Sequence, residues 1–166
     1  METGQQLGQN NTNERVRVMV IKSRRLLEVW CDDTTLLSLP VALGSEPVGP
    51  KQRQGDGKTP EGNYYTCVRN GKSKYYKAIG INYPNRVDAD RGLLDGLVSM
   101  EQHSQIIDAL QNGKRPPWDT ALGGEIMIHG GGTDHDWTAG CIALSDSDMD
   151  LLWELVPVGT KITIQP

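Results

Sequence analysis

Phenylalanine is missing from this chain of 166 residues, and cysteine and histidine occur only three times each. Without phenylalanine, the core must be filled by Leu, Ile, Val, Tyr and Trp. Three cysteines cannot all pair, so a fold stapled throughout by disulfides is excluded. None is required at this length, because a chain of this size buries roughly 70% of its unfolded surface. Cys31 and Cys67 lie in strand-like surroundings and read as small buried hydrophobes. No apolar run approaches the roughly 20 residues of a membrane-spanning helix. Positive charge is not in excess either: 17 Lys and Arg against 21 Asp and Glu give a net charge of −4. That balance argues against a nucleic-acid partner, despite the local basic patch Lys72-Ser73-Lys74. The opening METGQQLGQNNTNE is polar and has no apolar segment of the kind a signal peptide carries. It reads as a disordered leader, residues 1–14, ahead of a single domain at 15–166.

Glycine and proline, by contrast, are plentiful, at 19 and nine, and many turns favour a strand-rich fold. RVRVMVIKS alternates with period two from Arg15 to Val20, as a half-buried strand does. RRLLEVWC is its hairpin partner, and TLLSLPVALG is a third strand that Pro40 confines to an edge or bend. The Gly/Pro-rich stretch GSEPVGPKQRQGDGKTPEG is a loop long enough to be functional. NYYTCVRNGKSKYYKAIGIN reads as two strands around the turn Asn70-Gly71. NYPNRVDADRG reads as turn chemistry. SMEQHSQIIDALQNG is helical, with Ser99 and Gln102 forming a capping box, Gly113 ending it and His103 on its surface. GEIMIHG is a short buried strand. A second helix starts at Ser145, with Asp148 completing its box, and GTKITIQ is the last strand. Strands first, with helices interspersed late, specify a mostly β fold with helices, of the α+β class.

The chemistry gathers in IHGGGTDHDWTAGCIAL, Ile128 to Leu144, which holds two of the three histidines, two aspartates and Cys141. A thiol beside the glycine turn at Gly140 has backbone N–H groups nearby. These can lower its pKa and cradle an oxyanion, which assigns Gly140 and Cys141 to an oxyanion hole. His129 ends the preceding strand, and Gly130-Gly131-Gly132 lets the chain reverse, so a Cys/His pair on adjacent elements is expected. His129, His135 and Cys141 with Asp134 or Asp136 are also zinc-ligating types, but their spacing matches none of the compact zinc motifs. Tyr83, Arg91, His135, Trp137 and Thr138 are candidates for substrate contact, with Trp137 as a lid or platform.

The series VIKSRRLLEVW…LPVALG, GDGKTPEGNYY and IHG…TAGCIAL…DM, in that order from about Val16 to Ile164, resembles the L,D-transpeptidase catalytic domain, also called the YkuD domain. The resemblance implies a β-sandwich of mixed sheets carrying its site on a loop. It implies a cysteine nucleophile, Cys141, a histidine base, His129, and the carbonyl of Gly130 orienting that imidazole. Three features depart from the family pattern. Thr138-Ala139-Gly140-Cys141 stands where many members read Ser-His-Gly-Cys. Ala143 stands where many have arginine. The gap between His129 and Cys141 is short.

The resemblance further implies acyl transfer on peptidoglycan stem peptides. Cys141 would attack the carbonyl of meso-diaminopimelate, D-alanine would leave, and an amine would take the acyl group to give a 3–3 cross-link. No metal and no organic cofactor is needed. A monomer in the bacterial periplasm or cell envelope is expected, although no export signal is present in these residues. An L,D-carboxypeptidase or endopeptidase on the same scaffold and a non-catalytic peptidoglycan-binding module are the alternatives.

Overall fold

The computed structural model describes residues 15–166; the polar leader read at 1–14 lies outside the described residues. Eight strands form one mixed sheet: β1 Val16–Ile21, β2 Leu26–Cys31, β3 Thr34–Pro40, β4 Gly62–Ser73, β5 Tyr76–Ile81, β6 Met127–His129, β7 Ile142–Ala143 and β8 Lys161–Gln165. Their spatial order is β3-β2-β1-β8-β4-β5-β6-β7. Three helices complete the fold: α1 Arg86–Leu94, α2 Met100–Gln111 and α3 Asp146–Leu155.

Alternation in VRVMVI buries Val16, Val18 and Val20 and leaves the residues between them half-exposed. β2 and β3 follow as antiparallel neighbours, and β8 returns from the C-terminus to lie parallel to β1. β3 is an edge strand, which suits its terminal Pro40 because proline cannot donate to a ladder. The long strand β4 joins the halves of the sheet: Gly62 to Tyr65 pair with β8, and Thr66 to Ser73 pair with β5. The chain after β3 then meets the far edge, where Ala42 and Ala143 exchange hydrogen bonds of 3.0 and 2.9 Å. One core cluster accordingly holds Val18, Leu27 and Ile162 from one half together with Ile79, Ile128 and Ile142 from the other.

Helix starts follow their caps. The Ser99 side chain and Gln102 make the reciprocal box at α2. At α3 the Ser145 hydroxyl accepts from Asp148 N–H, but Asp148 does not return the bond, so the expected box is only half made. NYPNRVDADRG is not simply turn: α1 begins there on a capping box between Asn85 and Asp88. α1 and α2 pack on each other through Ala89, Val98 and Ile106 and close over Leu122, ahead of β6.

The hairpin turn is also displaced. Asn70-Gly71 lies inside β4, where the Asn70 side chain accepts from Lys72 N–H and Gly71 faces Trp153. A register shift between Asn70 and Ser73 carries the strand on, and the chain reverses between Ser73 and Tyr76. Tertiary packing overrides a local turn dipeptide here. The displacement sets Tyr75 at the tip.

Candidate active site

β6 and β7 run parallel with Ile128 opposite Ile142 and His129 opposite Ala143. Ile128 and Ile142 point into the core. The alternate residues Met127, His129, Cys141 and Ala143 therefore share the other face. Cys141 stands beside Met127, whose N–H donates to Sγ at 3.4 Å, and the thiol donates to the Glu125 carbonyl at 3.4 Å. His129 is two positions further along the same face, roughly 6.6 Å at strand rise. Among the described residues no hydrogen bond joins the imidazole to the sulfur. In this arrangement the thiol points its proton at the Glu125 carbonyl rather than at the imidazole.

The His129 ring is fixed on several sides. Nδ1 is 2.6 Å from the Gly130 carbonyl. A carbonyl only accepts, so Nδ1 carries the proton and Nε2 has the free lone pair. Tyr75 stacks on the imidazole with ring centres 4.7 Å apart and planes at 23°. Trp137 meets it edge-on at 5.5 Å and 65°. The peptide after His129 is clamped as well. A Cβ at Gly130 would come within 2.4 Å of Asp146 Oδ1 and 3.0 Å of the Tyr75 carbonyl, so a side chain there would push the Asp146 carboxylate aside. Asp146 Oδ1 in turn accepts from Gly131 N–H at 2.9 Å.

Burial sets the electrostatics of the pair. It pushes the Cys141 thiol pKa up; the Met127 N–H and the Lys51 ammonium oppose that rise without cancelling it, and the Glu125 carboxylate adds to it. A backbone donor does lower the thiol pKa, but it is the Met127 N–H rather than the glycine turn, and burial outweighs it. Burial pushes the His129 pKa down, and the Gly130 carbonyl offsets only part of this. Both shifts favour the neutral forms, the protonated thiol and the unprotonated imidazole. Burial also holds Cys67 up, to about 11. Cys31 and Cys67 are half-buried and, with Cys141, unpaired.

The glycine turn before the sulfur differs from expectation. Gly140 N–H donates to Thr138 Oγ1 at 3.2 Å, and that hydroxyl donates to the Cys141 carbonyl at 2.7 Å. Gly140 N–H is thus already engaged and is not a free oxyanion donor. Buried Thr138 shapes the turn instead of meeting substrate.

The other candidates divide. His135 is exposed and Trp137 half-buried, and they line one cavity of about 320 Å³ with Tyr75, Gly131, Gly132 and Asp134. Asp136 turns the other way. The Arg25 guanidinium grips it at 2.8 Å, and Leu43 N–H donates to it at 2.9 Å. Burial opposes ionisation of Asp136, but those donors prevail and hold its carboxyl below the usual range. That bond commits Asp136 to anchoring the loop. Among the described residues no group of three or more His, Cys, Asp or Glu is placed to share a metal. Tyr83 does not line a cleft: it has 0% exposure and donates to the Leu122 carbonyl at 2.7 Å. Arg91 is held in the framework by Asp88 and the Lys51 carbonyl. A second cavity, of about 260 Å³, adjoins the sulfur through Glu125 and is lined also by Gln54, Trp118, Asp119, Thr120 and Gly124.

Sequence reasoning missed Tyr75, Lys51 and Asp146. Asp146 carries the first-turn acid of a capped helix as a signal. Lys51 sits in the long loop, where Asp56 and the Arg53 carbonyl bury its ammonium. For Tyr75 no local signal exists, because its place depends on the displaced hairpin.

A cysteine just before one short strand and a tautomer-fixed histidine at the end of its parallel neighbour thus lie on one face. The L,D-transpeptidase catalytic domain family (YkuD) matches residues 15–164, and the chain belongs to it. It is 40% identical over 84 residues to the Escherichia coli (strain K12) protein named "Putative L,D-transpeptidase YafK", a match spanning 46% of this chain and 34% of that protein. The fold is similar to that of Pgp2, a helical cell shape determining protein from Campylobacter jejuni, with a TM-score of 0.63 and 23% identity, covering 90% of this chain and 46% of that one. It is similar also to the Mycobacterium smegmatis L,D-transpeptidase, with a TM-score of 0.52 and 14% identity over 92% of this chain and 59% of that one. The match thus spans about a third of the curated relative, and this chain covers about half of the solved chains.

Proposed function

We propose that this chain is a peptidoglycan L,D-transpeptidase of the cell envelope that works through a Cys141 thioester. The observation that carries the reading is the 2.6 Å bond from His129 Nδ1 to the Gly130 carbonyl, which leaves Nε2 as a base on the face that bears Cys141. Nε2 takes the thiol proton as Sγ attacks the meso-diaminopimelate carbonyl of a stem peptide. With Gly140 N–H engaged by Thr138, the Cys141 N–H is the donor of that turn assigned to the oxyanion. The tetrahedral intermediate collapses, His129 returns the proton to the leaving D-alanine, and an amine takes the acyl group from sulfur to form a 3–3 cross-link. His135 and Trp137 contact substrate from the cavity beside the imidazole.

The test is incubation with a purified disaccharide–tetrapeptide and mass analysis of the products. Cross-linked dimer with released D-alanine is expected. D-alanine release alone makes water the acceptor and the chain a carboxypeptidase. Unchanged substrate makes it a binding module.

The pH profile follows from the neutral pair. Only unprotonated His129 serves as base, and burial lowers its pKa. kcat/KM is therefore expected to hold through neutral pH and to fall only below the ordinary histidine value of about 6.5. An acid limb centred at pH 7 or above would contradict the burial-lowered His129 base, whereas loss of activity on the alkaline side, as an imidazolium gives up its proton, would mark a resting thiolate–imidazolium pair.

A further inference from the structure

We propose that Tyr75 is a positioning residue for the reaction: its ring, stacked on the His129 imidazole, holds the plane of the base and covers it from water. The proposal rests on the reading of His129 as the base.

The stack is built rather than incidental. Tyr75 is at the tip of the β4–β5 hairpin, and its neighbour Tyr76 has a left-handed backbone, φ +79°. A bulky residue rarely adopts that conformation and keeps it only where surrounding contacts enforce it. Those contacts are present. Asp150 of α3 accepts from the Tyr76 hydroxyl at 2.7 Å and from Lys77 Nζ at 2.7 Å. Asp146, one helical turn earlier, accepts from Gly131 N–H in the loop that follows His129. Two carboxylates on one face of α3 thus hold the segment that carries Tyr75 and the segment that carries His129. Gly130 N–H bonds to the Lys77 carbonyl and ties the segments directly.

Three rings result in mutual contact. Tyr75 lies on His129, Trp137 is edge-on to His129, and Tyr75 meets Trp137 at 5.2 Å and 67°. His129 keeps only 3% of its surface exposed, while Tyr75, which lines the cavity, keeps 38%. Hairpin side chains therefore supply the cover that makes the imidazole a buried, neutral base. The Tyr75 hydroxyl makes no hydrogen bond among the described residues, so the ring face does the positioning. The charged groups around this assembly are Lys74, 5.4 Å over the Tyr75 ring, Asp146 on the glycine loop, and Asp134 and His135 across the cavity.

The experiment compares Tyr75→Leu and Tyr75→Phe with the unaltered chain. The readouts are steady-state kinetics on the disaccharide–tetrapeptide and proton NMR titration of the His129 ring, assigned by single His→Gln variants. Tyr75→Leu is expected to lower kcat roughly tenfold or more with KM within about twofold, as for lost alignment of a reacting group. It is also expected to move the His129 titration up toward the ordinary histidine range. Tyr75→Phe keeps the ring face and should match the unaltered chain in both readouts. An unchanged titration in folded Tyr75→Leu overturns the proposal, and so does a Tyr75→Phe variant as impaired as Tyr75→Leu. If the unaltered chain turns over no stem peptide, the proposed function fails, while the titration still decides whether Tyr75 governs the imidazole.

Discussion

His129→Ala is expected to lower turnover of the disaccharide–tetrapeptide by on the order of 10²–10⁴-fold, the usual worth of a positioned base, while His135→Ala retains turnover and changes mainly KM. The two histidines are six residues apart in one glycine-rich stretch, but they have different surroundings. His129 ends β6, is nearly sealed from solvent, and has one ring nitrogen committed to Gly130. His135 is exposed on the wall of a cavity. Because burial raises the Cys141 pKa, little thiolate exists without a base, so iodoacetamide labelling of Cys141 near neutral pH should slow in His129→Ala as well. His135→Ala should label at the normal rate. Removing the His129 ring leaves the buried Gly130 carbonyl without its donor, which costs about 1–3 kcal/mol, so thermal melts must accompany the kinetics. A folded, active His129→Ala together with an inactive His135→Ala would reverse the assignment.

Sequence patterning revealed most of this fold where local chemistry and tertiary packing agree. Ser99 and Gln102 cap α2 as their spacing predicts, and the alternation of β1 survives as buried Val16, Val18 and Val20. It failed where the same residues serve two purposes. Asn85 and Asp88 suit both a turn and a helix cap, and α1 buries Asp88, Ala89 and Gly92 instead of an apolar stripe, so no periodicity announces it. Asn70-Gly71 is a strong hairpin signal that a bulge and the facing Trp153 absorb. The placement of Cys141 and His129 on neighbouring elements was legible because strand and glycine turn are adjacent in the chain. Burial of Tyr83, capture of Asp136 by Arg25 and engagement of Gly140 N–H by Thr138 all depend on the full packing or on one hydroxyl's direction. Periodicity carries no trace of these.

The departures from the family pattern also acquire physical meaning. Ala143, where many members have arginine, has 0% exposure and exchanges both backbone hydrogen bonds with Ala42. Its side chain faces the site alongside Cys141 and His129 but is walled in, so a guanidinium would need that closure to open. A positive charge that does act on the sulfur is Lys51 of the long loop, which lowers the thiol pKa without offsetting burial. Ala139, where many have histidine, is exposed, so the absent imidazole leaves no unfilled space in the core.

Gly140→Ala is expected to damage catalysis more than stability. Gly140 has φ +139°, a conformation that side-chain-bearing residues rarely adopt. A Cβ there would lie 2.7 Å from the Lys58 carbonyl and 3.2 Å from Ile126 Cδ1. The Lys58 contact is backbone, so relief requires the turn itself to move. Strain and overpacking of this kind cost about 1–3 kcal/mol, which a domain of ordinary stability survives. The sulfur does not survive it in place. Cys141 is the next residue, its carbonyl is held by Thr138, and its N–H is the assigned oxyanion donor. A displacement of about 1 Å at a reacting atom can cost on the order of 100-fold. Turnover should therefore fall about 100-fold or more, with a cooperative urea transition retained. Gly132→Ala is the control: Gly132 has φ +112° but nothing within 4 Å of the added carbon. It should show the backbone strain in the melt and keep most of the turnover. Equal catalytic losses in the two variants would trace the defect to glycine-loop flexibility; loss confined to Gly140→Ala would trace it to the packed turn that aims Cys141.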